Sequence, residues 1–117
     1  MPATKQNIII EQGATFSLPL TVGTNYNTWT GRGKIVDAFG GNVLAEFAVA
    51  TVAAGATTVS LTSAQTAALA PAIEPRDIDR EVELGFYDIE LVNATTGSTE
   101  IVRIREGKVT LSREATA

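Results

Sequence analysis

The sequence predicts an all-β protein, an antiparallel β-sandwich of about seven strands with one short helical turn. Apolar and polar residues alternate with period two along several short segments, as they do in strands with one buried face. Turn signals separate these segments at the roughly 8–12-residue spacing of a sandwich. The 117 residues are 44% hydrophobic and 19% charged, which is typical of a single globular domain.

The first half of the chain carries the opening strands. Residues 8–18 have the pattern of a strand, a turn and a second strand, and the second strand continues with one face formed by Phe16, Leu18, Leu20 and Val22. Residues 23–27 form a loop, and residues 29–39 are extended again, with Gly31 and Gly33 predicting a bulge or a close backbone approach. A turn at residues 40–42 leads to a strand over residues 43–52. One face of that strand carries Val43, Ala45, Phe47 and Val49.

The second half predicts a short strand, one helix and a closing hairpin. Residues 57–62 form the strand, and Ser63 is predicted as the N-cap of a helix over residues 64–69, which Pro71 ends. Residues 71–83 are predicted to be a surface loop because they hold two prolines and seven charged residues. Residues 85–93 and 99–112 form the hairpin. Its Tyr87, Ile89 and Leu91 are expected in the core, facing Phe16, Leu18 and Leu20.

The predicted organisation is one sandwich domain with two short extensions. Residues 1–7 are an N-terminal arm, residues 8–112 the sandwich and residues 113–117 a C-terminal tail. The two extensions have few apolar groups that could fix them on their own domain. We therefore expect neighbouring chains to hold both ends.

Composition and charge exclude several classes of function. The chain has no His and no Cys, so thiolate chemistry, disulfides and the commonest general base are absent. The net charge of −4 disfavours binding to nucleic-acid phosphates or to anionic lipid. No stretch approaches the ~20 apolar residues of a membrane span, and the first residues lack the pattern of a signal peptide. The expectation is a soluble protein made inside a cell, with no nucleic-acid or membrane partner.

A few side-chain groups could still carry chemistry. If residues 76–83 are extended, the carboxylates at 77, 79, 81 and 83 point to one side and could hold Ca²⁺; a solvated loop is the other interpretation. Asp88 and Glu90 are the pair that a carboxylate hydrolase would need, although alternating acids are typical of the wet face of a sandwich. Trp29 and Tyr26 could stack on a sugar, or Trp29 could fill the core. No catalytic residue, metal site or cofactor is predicted.

Several short motifs together carry a family resemblance that extends from about Ile8 to Ser112. In chain order they are Gln12-Gly13 followed by Phe16, then Gly31, then Val59 to Leu69, then Tyr87-Asp88-Ile89-Glu90-Leu91, and last Gly107 to Leu111. With these motifs the chain resembles the small immunoglobulin-like β-sandwich modules of virion structural proteins in tailed bacteriophages.

The resemblance implies a fold and a role. The fold would be an immunoglobulin-like sandwich. The role would be that of a non-enzymatic adaptor or small tail, baseplate or neck protein that contacts other virion proteins and copies of itself, located in a virion assembled in the host cytoplasm. A head decoration (cement) protein of the capsid is one alternative, and a carbohydrate-binding module is another.

Two segments are predicted to form subunit contacts. Ile8, Ile9 and Ile10 would place apolar side chains on both faces of a strand, more than a strand with one buried face requires. The second segment is an acidic loop over residues 74–83, whose mixed charges could fix the orientation of a neighbour. Its candidate residues are Glu74, Arg76, Asp77, Asp79 and Arg80.

Overall fold

The computed structural model describes residues 3–38, 41–70, 80–93 and 100–114. Within them the chain forms nine β-strands, a turn of 3₁₀-helix at Thr24–Tyr26 and one short α-helix, α1, at Ser63–Ala67. The strands are β1 (Thr4–Lys5), β2 (Ile8–Glu11), β3 (Phe16–Thr21), β4 (Thr30–Val36), β5 (Val43–Glu46), β6 (Ala48–Val49), β7 (Ala56–Leu61), β8 (Glu81–Val92) and β9 (Ile101–Ser112). The prediction of a mostly β protein with one short helix is confirmed.

The strands form two open sheets arranged like a sandwich. The larger has six strands in the order β1-β9-β8-β4-β5, and β2 follows β1 along the same side of β9. The smaller has three strands in the order β3-β7-β6. The pairings are antiparallel except that β1 and β2 run parallel to β9.

The core lies between the two sheets. Its main cluster includes Ile10, Ile35, Val59, Tyr87 and Ile89, all nearly inaccessible to water. Leu20 is buried in this cluster, and Phe16 and Leu18 pack against it. Leu91 lies in a second cluster with Trp29 and Val52. Tyr87, Ile89 and Leu91 are therefore core residues as predicted, although Leu91 packs in the second cluster rather than in the main one.

The strand predicted over residues 43–52 is wrong as a single element. β5 pairs with β4 in the large sheet, whereas β6 pairs with β7 in the small one. The chain changes sheets at Phe47, whose N–H donates to the carbonyl of Gly33. A side chain at Gly33 would lie 2.5 Å from Ile89 Cδ1 and 2.7 Å from the Asp88 carbonyl. The close backbone approach that the strand glycines predicted is confirmed there.

Two predicted boundaries also shift. The helix N-cap is Thr62 rather than Ser63, because Thr62 and Gln65 satisfy each other's backbone N–H groups in a capping box. Glu81, Val82 and Glu83 belong to β8 rather than to a loop, because they pair with the last residues of β9. The rest of the predicted loop, residues 71–79, lies outside the described residues.

The predicted N-terminal arm is wrong for residues 4–7. Thr4 and Lys5 pair with β9, and Gln6 donates its N–H to the Glu106 carbonyl at 2.8 Å. At the other end, the N–H of Arg113 donates to the Arg80 carbonyl at 2.6 Å. Backbone hydrogen bonds within the chain, which need no apolar side chains, fix these segments.

Candidate interaction surface

The three isoleucines of the predicted contact segment lie in different environments. Ile8 and Ile10 are buried in the main core cluster, at 6% and 0% exposure. Ile9 points the other way and is 56% exposed. The expectation that all three contact a neighbour is wrong for Ile8 and Ile10, because both pack inside their own chain. Ile9 alone presents an apolar side chain outward.

The second predicted segment is described only in part. Arg80 is exposed, and its carbonyl accepts the Arg113 hydrogen bond. Glu74, Arg76, Asp77 and Asp79 lie outside the described residues. The contact through that loop therefore stays a prediction.

The backbone of β2 has one paired side and one open side. Gln6 and Gln12 donate their N–H groups to β9 carbonyls at 2.8 Å each. Because a parallel ladder uses alternate residues of a strand, Ile8 and Ile10 also face β9, and the N–H and C=O of Ile9 face away from it. Among the described strands, none pairs with that outer side. Ile9 thus combines an exposed β-branched side chain with backbone groups at a sheet edge.

A set of polar contacts holds this edge in place. The hydroxyl of Tyr87, on β8, donates to the Gln6 carbonyl oxygen at 2.6 Å. The N–H of Lys108 donates to Asn7 Oδ1 at 3.0 Å, and Arg105 Nε donates to Gln6 Oε1 at 3.2 Å. Burial raises the pKa of Tyr87, and the positive charge of Arg105 partly opposes that rise. The phenol therefore stays a hydrogen-bond donor over the whole neutral range.

Gly107 provides the space for these contacts. It is the β9 partner of Tyr87, between β8 and the segment that joins β1 to β2. A Cβ built on Gly107 would overlap the Gln6 carbonyl oxygen and lie 2.7 Å from the carbonyl carbon. Because Gly107 has no side chain, the N-terminal segment lies closer to β9 than it could with any other residue at position 107.

The outer face of the large sheet, the side that points away from the small sheet, is charged in an ordered way. On β4 it carries Arg32 and Lys34, which we call the basic column. On β8 it carries Asp88 and Glu90, the acidic column. The columns are in register, with Arg32 opposite Glu90 and Lys34 opposite Asp88, and Arg32 Nε lies 2.9 Å from Glu90 Oε1.

Apolar side chains lie at both ends of these columns. Val36 is opposite Phe86 on β8 and opposite Val43 on β5, and Val43 is 50% exposed. At the other end Val92 is opposite Ile101, which is 47% exposed. This arrangement was not predicted. The alternation along each strand was visible in the sequence, but the register that aligns residues 58 positions apart was not.

A scan against protein-family models and a search of curated proteins found no match for this chain.

Asp88 and Glu90, the two acids that a carboxylate hydrolase would need, lie on the outer face of the large sheet. Asp88 and Glu106 line a groove of about 350 Å³ with Lys5, Arg103 and Lys108. Arg103 contacts both carboxylates, at 3.8 Å from Asp88 and 3.7 Å from Glu106. Each acid of the groove therefore has a cation beside it. Among the described residues, no three His, Cys, Asp or Glu side chains are grouped so that they could hold a metal ion.

The aromatic pair does not form a sugar-stacking platform. Trp29 is only 9% exposed and belongs to the core, as its core interpretation predicted. Tyr26 meets it edge-on, with ring centroids 4.9 Å apart and an interplanar angle of 83°. Stacking on a sugar would need exposed, coplanar rings. Within the described part of the chain, no helix is long and apolar enough to cross a membrane.

Proposed function

We propose that this protein is a non-enzymatic structural component of a tailed bacteriophage virion, with an immunoglobulin-like fold, and that it works through protein–protein contacts. The observation that carries the proposal is the open edge at Ile9. Soluble monomers usually protect such edges with charge, Pro or a bulge. Here the outward residue at the centre of β2 is a 56% exposed isoleucine.

Two further observations support the proposal. The order β3-β7-β6 in one sheet and β9-β8-β4-β5 in the other is the order that we would expect if these strands correspond to the B-E-D and G-F-C-C′ sheets of an immunoglobulin-like domain. The motifs between Ile8 and Ser112 resemble those of virion modules. In the groove of the outer face, the two carboxylates, Asp88 and Glu106, both lie beside the Arg103 guanidinium.

The mechanism of attachment is strand addition. An extended segment of a neighbouring virion protein would bond to the outward N–H and C=O of β2 and cover the Ile9 side chain. Backbone bonds supply affinity in this mode, and side-chain pockets supply specificity. The contacts of Gln6 with Tyr87 and Arg105 fix β2 before binding, so that little ordering entropy is lost on docking.

The test is Ile9→Lys, with Ile9→Val and Ile101→Lys as controls. Lysine at position 9 projects into water in the isolated domain, so the urea unfolding midpoint should stay near that of the wild type. We expect the variant to be missing from purified particles, whereas both controls are incorporated. Normal incorporation of Ile9→Lys would overturn the edge contact. Absence of the wild-type chain from particles would overturn the virion role itself, and a map of intact particles would locate it on tail or capsid.

A further inference from the structure

One charged residue stands on the core-facing side of β9. Arg105 is the partner of Ile89, which is fully buried, and directly opposed residues of neighbouring strands project from the same face of a sheet. Val109 and Leu111, further along that face of β9, are buried apolar residues. A cation in this series breaks the pattern of a packed sandwich, and positions that break a local rule are often functional.

The guanidinium of Arg105 is held in place but has no counter-ion. Its Nε donates to Gln6 Oε1 at 3.2 Å, and its Nη1 donates to the Ile104 carbonyl oxygen at 3.2 Å. Nη2 has no acceptor among the described residues, and no described carboxylate forms an ion pair with this side chain. The free end of the guanidinium, formed by Nη2 and the second N–H of Nη1, is therefore available for a carboxylate, which arginine binds through two parallel hydrogen bonds.

Arg105 lines a groove at the seam between the two sheets, which we call the seam groove. Its volume is about 160 Å³, enough for a single side chain rather than a large ligand. Among the described strands, none lies beyond β3 in the small sheet or beyond β1 in the large one. Arg103 also lines the groove, but its guanidinium pairs with two carboxylates. The apolar walls are Val22, Tyr26, Val102 and Ile104.

We infer that the seam groove binds an acidic side chain on an extended segment of a partner protein. The carboxylate binds the free end of Arg105, and the methylene groups of the acid lie against the apolar walls. Because side chains two positions apart in an extended segment point to the same side, apolar residues before and after the acid cover the two ends of the groove. The charge of Arg105 selects the acid, since a neutral side chain would leave its free donors without an acceptor.

Thr4 allows the site to be filled from within the chain. It is the β1 partner of Arg105, it lines the seam groove, and it is exposed. Because partners on neighbouring strands lie about 5 Å apart, Thr4→Glu places a carboxylate within reach of the guanidinium. Thr4→Gln has the same shape without the charge. Neither change replaces a core residue, so both variants should fold.

The experiment is an NMR titration of the isotope-labelled chain with a blocked peptide, acetyl-Thr-Val-Thr-Glu-Thr-Val-amide, at about 50 mM salt, where charge screening is weak. We expect shifts of the groove signals and a dissociation constant on the order of 10⁻⁴–10⁻³ M, as suits a single anchor. The same peptide with Gln in place of Glu should bind about tenfold or more weakly, because a charge-assisted contact is lost. Thr4→Glu and Arg105→Gln should weaken binding of the acidic peptide by a similar factor. Thr4→Gln should bind like the wild type, and so should Arg32→Gln, which removes the same charge outside the groove.

Several results would overturn the inference. They are no binding by the wild type, equal binding of the two peptides, shifts outside the groove, and undiminished binding by Thr4→Glu. Isovalerate that binds as tightly as the peptide would also overturn it, because the groove would then take free apolar acids rather than a protein segment. If Arg105→Gln folds poorly, the two Thr4 variants still decide the matter. Because the assay uses the isolated chain and a peptide, its failure leaves the Ile9 edge and the virion role untouched.

Discussion

Replacing Gly107 by alanine should detach the N-terminal segment from β9. The added Cβ overlaps the Gln6 carbonyl oxygen and lies 3.2 Å from the Asn7 nitrogen. These are backbone atoms, which cannot rotate aside as a flexible side chain can. The methyl group and the native path of residues 6–7 are therefore incompatible.

The loss can be estimated from the bonds that depend on that path. They are the Gln6 N–H bond to Glu106, the Tyr87 hydroxyl bond to Gln6, the Lys108 N–H bond to Asn7 and the Arg105 bond to Gln6. At about 0.5–1.5 kcal/mol net for each of the four hydrogen bonds, their sum is about 2–6 kcal/mol. A domain of this size has roughly 5–15 kcal/mol of stability in total, so the variant should fold but unfold at clearly lower urea.

Urea unfolding followed by Trp29 fluorescence measures the free energy, because Trp29 is the single Trp of the chain and is buried. Amide hydrogen exchange gives the local result: the N–H of Gln6 should lose protection, while that of Tyr87 in β8 keeps it. Lys108→Ala, at the next and exposed position, is the matched control and should change stability by less than about 0.5 kcal/mol. Wild-type stability with a protected Gln6 amide in Gly107→Ala would refute the steric argument.

Two further predictions concern Tyr87 and the helix cap. Tyr87→Phe should lower stability by about 1 kcal/mol at neutral pH. The pKa of Tyr87 is raised in the folded state above its ordinary 10.0, so wild-type stability is complete below pH 10.0 and falls as pH rises through the folded pKa. Urea titrations should show the wild-type advantage shrinking above that pH, and a constant difference would contradict the buried donor. Thr62→Ala should cost about 1 kcal/mol through loss of the capping box with Gln65, whereas Ser63→Ala should cost little in the same assay. Equal losses would contradict Thr62 as the N-cap.

The sequence predicted those elements whose pattern is set by burial on one face. β3, β7 and the β8–β9 hairpin each alternate apolar and polar residues, and each was found within a few positions. The sheet change at Phe47 was missed because every second residue from Val43 to Val49 is apolar and no Gly or Pro stands between them. β1 was missed because backbone bonds to β9 hold it, and such bonds leave no apolar signal.

The interaction surface was predictable to a similar extent. The run Ile8–Ile10 indicated a strand with apolar groups on both sides, but only the fold shows that Ile9 is the outward one. The charged columns depend on the register between β4 and β8. Core packing between residues far apart in sequence fixes that register, so the sequence of either strand alone does not reveal it.

The parallel pairing of the first and last strands has a mechanical consequence. β1 and β2 lie beside β9 and run in its direction. The start of β1 and the end of β9 therefore lie at opposite ends of this parallel pairing. Tension applied before Thr4 and after Ser112 acts along the strands and loads the bonds between them in shear, all together. An antiparallel pair pulled from one end would instead open bond by bond. The same edge that exposes Ile9 is thus built to resist stretching along the length of the domain.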